Sequence, residues 1–152
     1  MKDTHTVIAT DQLMTSPTSE LPASQANSLR RWNIGLGLVH AIQAVAVLAL
    51  ATAFALPVTA TFMEGPPGTA AGAPTTLLEV SVAWGVALFL LLSALFHWLI
   101  VLPGVFGRYI SGLAAEHNYF RWAEYSLSSS VMIVLIAMLT GISDVAALIG
   151  IF

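Results

Sequence analysis

The chain has 152 residues, of which 57% are hydrophobic and only 9% are charged, and its formal net charge is −3. Soluble domains carry about 25% charged residues, so the composition excludes an ordinary soluble domain and indicates an integral membrane protein surrounded by lipid. The chain has no cysteine, which excludes disulfide and thiol chemistry. Its five basic residues are too few for a nucleic-acid-binding surface, so we expect no nucleic acid partner.

The N-terminal part of the chain is polar and is followed by the first apolar segment. Residues 1–29 are rich in Ser, Thr and Ala and predict a polar tail. Residues 32–56 carry no charge and are long enough to cross a hydrocarbon core of about 30 Å. Arg30-Arg31 before this segment also resembles a twin-arginine export signal. Polar residues inside the segment, such as His40, favour a retained transmembrane helix instead.

Turn residues and apolar runs divide the rest of the chain. Residues 57–76 predict a loop, because their prolines and glycines forbid a long helix, and residues 58–62 within it favour a short strand. Further spans are predicted at about residues 80–102 and within residues 112–140. Residues 143–152 are too short to cross a membrane, so we expect them to begin a fourth helix that continues beyond this sequence.

The basic residues all fall on one side of the predicted spans. Lys2, Arg30 and Arg31 precede the first span, and Arg108 and Arg121 lie before or early in the third. Cytoplasmic segments carry an excess of Lys and Arg. The asymmetry therefore predicts a multi-pass protein of the cell membrane with a cytoplasmic N-terminus.

A carboxylate lies inside the third apolar segment. Glu124 is followed directly by the uncharged run of residues 131–139. A charge at bilayer depth costs at least about 2.5–3.5 kcal/mol, so it usually has a partner and a function. Arg121 precedes Glu124 by three residues, which places both on one helical face. We interpret this pair as the centre of the functional site.

Each predicted span also carries a polar stripe. Asn33, Gly37 and His40 share one side of the first helix, and Ser93 and His97 lie four residues apart on the second. The simplest packing turns these stripes toward the third helix and forms a polar pocket inside an apolar bundle. The third helix contributes Arg121, Glu124, Tyr125, Ser128, Ser129 and Met132.

Less specific interpretations of these residues remain open. A membrane histidine is often one partner of an interhelical hydrogen bond, and serines often bond to the i−4 carbonyl. Arg121 could lie at the interface with its charge extended toward water. Two histidines and a carboxylate could bind a metal, but no His pair at i, i+4 spacing preorganises them, so we expect no metal site. No nucleophile–base pair is visible, and we expect no enzyme.

Three runs in this sequence resemble the heliorhodopsin family, in the order in which that family has them. Residues 120–137 resemble its third helix, residues 87–97 its second helix, and residues 54–57 with 65–69 its first loop. The similarity covers about residues 29–152.

The resemblance implies a light-sensing retinal protein with seven helices and a cytoplasmic N-terminus. It implies that Glu124 is the counterion of the retinal Schiff base, that His40 and His97 are pocket histidines linked to proton movement, and that Ser93 and Ser129 lie close to the Schiff base. Arg121, Tyr125 and Met132 are expected to line the same cofactor pocket. The family also implies a homodimer to which the 57–76 loop contributes.

One departure from the family pattern bears on function. The family binds retinal through a lysine in the seventh helix, whereas the only lysine here is Lys2. We therefore expect an all-α membrane fold over residues 30–152, with three transmembrane helices and the start of a fourth, like the N-terminal half of a seven-helix rhodopsin bundle. A C-terminal half would then complete the pocket. The alternative is a small helical membrane subunit or assembly partner without a chromophore, and a third hypothesis is an ion or proton pathway.

Overall fold

The computed structural model describes residues 21–152. Most of the polar tail predicted for residues 1–29 lies outside the described residues. Its last part differs from the prediction, because the first helix already begins at Ala23. Polar residues at this end continue the helix that carries the apolar span.

Helices account for most of the described residues, and three of them are long and apolar enough to cross a membrane. This confirms the predicted class, a helical membrane protein with three spans. The helices are α1 (Ala23–Ala49), α2 (Val82–Ile100), α3 (Val105–Ala114), α4 (Tyr119–Leu139) and α5 (Val145–Ile151).

Helix α2 is the centre of the bundle, since it packs against both α1 and α4. Glycines allow the close approach on both sides. The Cα of Gly37 in α1 faces the indole ring of Trp98 so closely that a Cβ would overlap it. A Cβ at Gly85 in α2 would lie 2.5 Å from Cδ2 of Leu135 in α4. Helices α1 and α4 both run antiparallel to α2. Arg30 near the start of α1 reaches Val101 at the end of α2, and Gly85 near the start of α2 faces Leu135 near the end of α4.

A β-hairpin covers the opposite end of the bundle. Strand β1 (Ala55–Ala60) pairs antiparallel with β2 (Thr75–Ser81). The backbone N–H of Thr59 also donates to the carbonyl oxygen of Ser143 at 2.8 Å, which ties the hairpin to the turn between α4 and α5. Val58 of β1 packs in an apolar cluster with Ala137, Met138 and Leu148.

Two boundaries differ from the sequence prediction. The first span ends at Ala49 rather than at residue 56, because residues 50–54 form an irregular connection and residues 55–56 pair in the hairpin. The strand predicted at residues 58–62 is shifted to Ala55–Ala60. The third span, Tyr119–Leu139, lies within the predicted residues 112–140, and the residues before it form the separate short helix α3.

The arginines collect at the end of the bundle away from the hairpin. The Arg30 side chain donates to the carbonyl oxygen of Val101 at 3.4 Å and lies over the ring of Phe106, with 5.5 Å from Cζ to the ring centroid. Arg108 lies in α3, and Arg121 lies in the first turn of α4. The described part of the chain therefore has a basic end and a hairpin end.

Candidate functional site

A buried carboxylate lies between α2 and α4. Glu124 is 5% exposed. The Ser93 hydroxyl donates to Glu124 Oε1 at 2.8 Å, and the Arg121 guanidinium lies 3.4 Å from Glu124 Oε2. The Arg121 side chain is 40% exposed and also lies over the ring of Tyr125, 4.6 Å from its centroid. Because the cation is partly exposed, solvent screens part of its attraction for the carboxylate.

The start of α4 sets the direction of this carboxylate. The Asn118 side chain accepts the backbone N–H of Arg121 at 3.1 Å, as an N-cap does. This cap fixes the first turn of the helix. Residues at i, i+3 and i+7 of a helix share one face, so Arg121, Glu124 and Ser128 follow one another on the side that packs toward α2.

A second polar contact lies between α1 and α2. Oδ1 of Asn33 is 2.8 Å from Nδ1 of His97, and both side chains are buried. The ring of His40 stacks on the ring of His97, with centroids 5.6 Å apart and an interplanar angle of 12°. Nδ1 of His40 is buried, and no hydrogen-bond partner for it is found within residues 21–152.

These two contacts border one cleft of about 490 Å³. Every residue that the sequence predicts for the cofactor site lines it. Apolar side chains form much of the remaining wall. The lining residues are His40, Phe89, Ser93, His97, Arg121, Glu124, Tyr125, Ser128, Ser129, Met132, Ile133 and Ile136.

The family is decided by a comparison of the whole sequence with family models. The heliorhodopsin model matches residues 29–152, which is most of the chain. This chain belongs to the heliorhodopsin family. A comparison with curated proteins gives no match. Membership identifies the chain as a membrane protein of a retinal-binding photoreceptor family, as the resemblance in its sequence predicted.

Sequence reasoning missed some residues that line this cleft and one residue, Asn33, that contacts a lining histidine from behind. The sequence places Asn33 on the polar stripe of α1 but not among the cofactor-site residues, and the structure adds its contact with His97. Its spacing of seven residues from His40 places both on one face of α1 but does not indicate which side chain of α2 it contacts. Phe89, Ile133 and Ile136 carry no such signal, because in a membrane span they resemble lipid-facing residues.

A larger cleft of about 680 Å³ lies near the hairpin end, between the last turns of α1 and the first turns of α2. Its lining is apolar apart from Gln43 and Thr52. We favour the smaller cleft as the site, because only that one combines an apolar wall with a buried carboxylate. Within residues 21–152, no group of three or more metal-binding side chains is found.

Proposed function

We propose that this heliorhodopsin chain forms one wall of a retinal site in a light-sensing protein that is not an enzyme. The observation that carries the proposal is the buried Glu124 carboxylate at the side of an apolar cleft. Such a charge is costly in a membrane span unless it has a partner and a function. Arg121 is partly exposed and compensates it only in part.

The size and the lining of the cleft suit an apolar cofactor. Its volume of about 490 Å³ lies in the range of about 300–1,000 Å³ that is typical of ligand pockets. Phe89, Met132 and Ile136 offer apolar contacts, and the polar groups collect around Glu124. When bound, retinal supplies light absorption and, through its lysine linkage, a positive charge. That lysine would come from a C-terminal part outside this sequence.

Glu124 would act as the counter-charge of that linkage. The Ser93 hydroxyl holds one carboxylate oxygen, which limits rotation of the group. An opposite charge at short range favours the charged form of a cationic group. Ser129 would line the site without holding the carboxylate, since its hydroxyl bonds to the backbone carbonyl of Tyr125.

The experiment that tests this proposal is pigment formation. The chain is co-expressed with the C-terminal part of a heliorhodopsin that carries the linking lysine, each with a different affinity tag, and retinal is added. We expect the two parts to co-purify and to absorb visible light. Co-purification without a visible band would contradict the retinal proposal and would favour the alternative of a membrane subunit without a chromophore.

The orientation in the cell membrane is proposed from charge. Arg30, Arg31, Arg108 and Arg121 all lie at the basic end, and this supports a cytoplasmic N-terminus. We expect a cysteine introduced at Ser24 to be protected from a membrane-impermeant thiol reagent in intact cells, and one introduced at Gly68 to react. The opposite pattern would contradict the orientation.

We also propose that the hairpin contributes to a homodimer. Leu77 and Leu78 of β2 are 48% and 53% exposed, and apolar residues on a short strand can pair with a second copy. Replacing both by Ser should weaken self-association in detergent by about tenfold, or roughly 1.4 kcal/mol. Thr75→Ser in the same strand is the control. Unchanged self-association of the leucine variant would reject this interface.

A further inference from the structure

The side-chain amide of Asn33 is held by two partners. Its Nδ2 donates to the backbone carbonyl oxygen of Leu29 at 2.8 Å, one helical turn earlier in α1. Its Oδ1 lies 2.8 Å from Nδ1 of His97 in α2. Asn33 and His97 are 7% and 5% exposed, so water does not offer an easy replacement for either contact.

These contacts determine which way the amide faces. The Leu29 carbonyl oxygen can only accept a hydrogen bond, so the NH₂ group of Asn33 must face it. A flipped amide would bring two carbonyl oxygens within 2.8 Å of one another with no hydrogen between them. The amide oxygen therefore faces His97, and it too can only accept.

The proton position on His97 follows from that orientation. Nδ1 of His97 must carry a hydrogen, because its neighbour Oδ1 of Asn33 has none to give. A neutral imidazole that is protonated at Nδ1 has its free lone pair on Nε2. The contact on one ring nitrogen thus selects the other nitrogen as the acceptor.

We propose that Asn33 is a positioning residue that holds neutral His97 as the Nδ1–H tautomer, so that Nε2 is the nitrogen that takes up a proton. This deepens the proposed function, because His97 lines the cleft that contains Glu124. The tautomer itself does not depend on retinal. His40 differs, since its buried Nδ1 has no partner among the described residues to select a tautomer.

The test is nitrogen-15 NMR of the full chain, labelled at histidine, in detergent micelles at a pH where the ring is neutral. His97→Gln assigns the His97 signals by their loss. In the unmodified chain we expect a protonated Nδ1 and an unprotonated Nε2. Asn33→Leu should lose the Nδ1–H signal in favour of Nε2–H, because leucine offers no acceptor to Nδ1. Gln43→Leu removes an exposed amide from the same helix and should change nothing.

Two results would overturn the proposal. One is a proton on Nε2 of His97 in the unmodified chain, a result that requires no variant to fold. The other is an unchanged Nδ1–H signal in Asn33→Leu. If the tautomer is as proposed but the chain forms no pigment with the C-terminal part, the retinal proposal fails and the assignment to Asn33 stands.

Discussion

The two sides of α2 make buried side-chain hydrogen bonds of the same length but of different chemistry. Toward α4, Ser93 donates to the Glu124 carboxylate at 2.8 Å, beside the cation of Arg121. Toward α1, the neutral amide of Asn33 meets the imidazole of His97, also at 2.8 Å. Charge is thus concentrated on the α4 side of α2, while the contact on the α1 side fixes the orientation of the His97 ring. Variants that change charge should therefore act on the α4 side, whereas variants on the α1 side should act through packing and neutral hydrogen bonds.

The largest loss of stability is expected from a substitution at the close approach of α1 to α2. Gly37→Ala would place a methyl group into the Trp98 indole, whereas Gly35→Ala meets nothing within 4 Å. Overpacking destabilises a protein by about 1–3 kcal/mol. Each glycine-to-alanine substitution also stabilises the helix by up to about 1 kcal/mol, because alanine has the higher helix propensity. We expect Gly37→Ala to be less stable than Gly35→Ala by about 1–3 kcal/mol, measured by thermal unfolding in detergent followed by circular dichroism. Equal stability of the two variants would contradict the close packing.

A smaller effect is expected when the cation on the α4 side is removed. Arg121→Gln leaves Glu124 buried with Ser93 as its partner. The cost should be about 1–2 kcal/mol, between the values for exposed and buried pairs, because Arg121 is 40% exposed. Adding Glu124→Gln should recover most of this loss in the same unfolding measurement, and Arg108→Gln is the exposed control. A double variant as unstable as Arg121→Gln would show that no uncompensated charge causes the loss.

The smallest loss of stability is expected when the hydrogen bond between Ser93 and Glu124 is removed. Ser93→Ala removes the donor to Glu124, and side-chain hydrogen bonds between membrane helices contribute about 0.6–1.7 kcal/mol. Ser126→Ala, at an exposed position of α4, should change stability by less than about 0.5 kcal/mol. If both variants unfold at the same temperature, the contact between Ser93 and Glu124 adds nothing to the packing of the bundle.

The polar site could be predicted from the sequence because charged and polar residues are costly in an apolar span. Glu124, His40 and His97 stand out against their neighbours, and helical periodicity places Ser93 with His97 on one face. The structure brings these residues to a single cleft. Their roles toward a cofactor are still predictions, which the pigment experiments test.

The hairpin boundaries and the contact of Asn33 could not be predicted in the same way. The apolar residues 55–56 continue the hydropathy of the first span, and periodicity cannot separate a short apolar strand from a helix. What distinguishes them is pairing with β2 and the backbone bond from Thr59 to Ser143, both of which are tertiary contacts. The bond from Asn33 to His97 likewise depends on the rotation of α1 against α2.

The central claim is that Glu124 supplies the counter-charge of a retinal site, and the absorption spectrum of the assembled pigment tests it most directly. Glu124→Gln removes the charge and nearly preserves the shape, while Glu79→Gln removes an exposed carboxylate in β2. We expect Glu124→Gln to move the band into the near ultraviolet, because the linkage loses its proton, or to shift it to longer wavelength with a response to added anions. Glu79→Gln should leave the band in place. An unchanged band with an unchanged pH dependence in Glu124→Gln, together with loss of the band in His97→Ala, would contradict the claim.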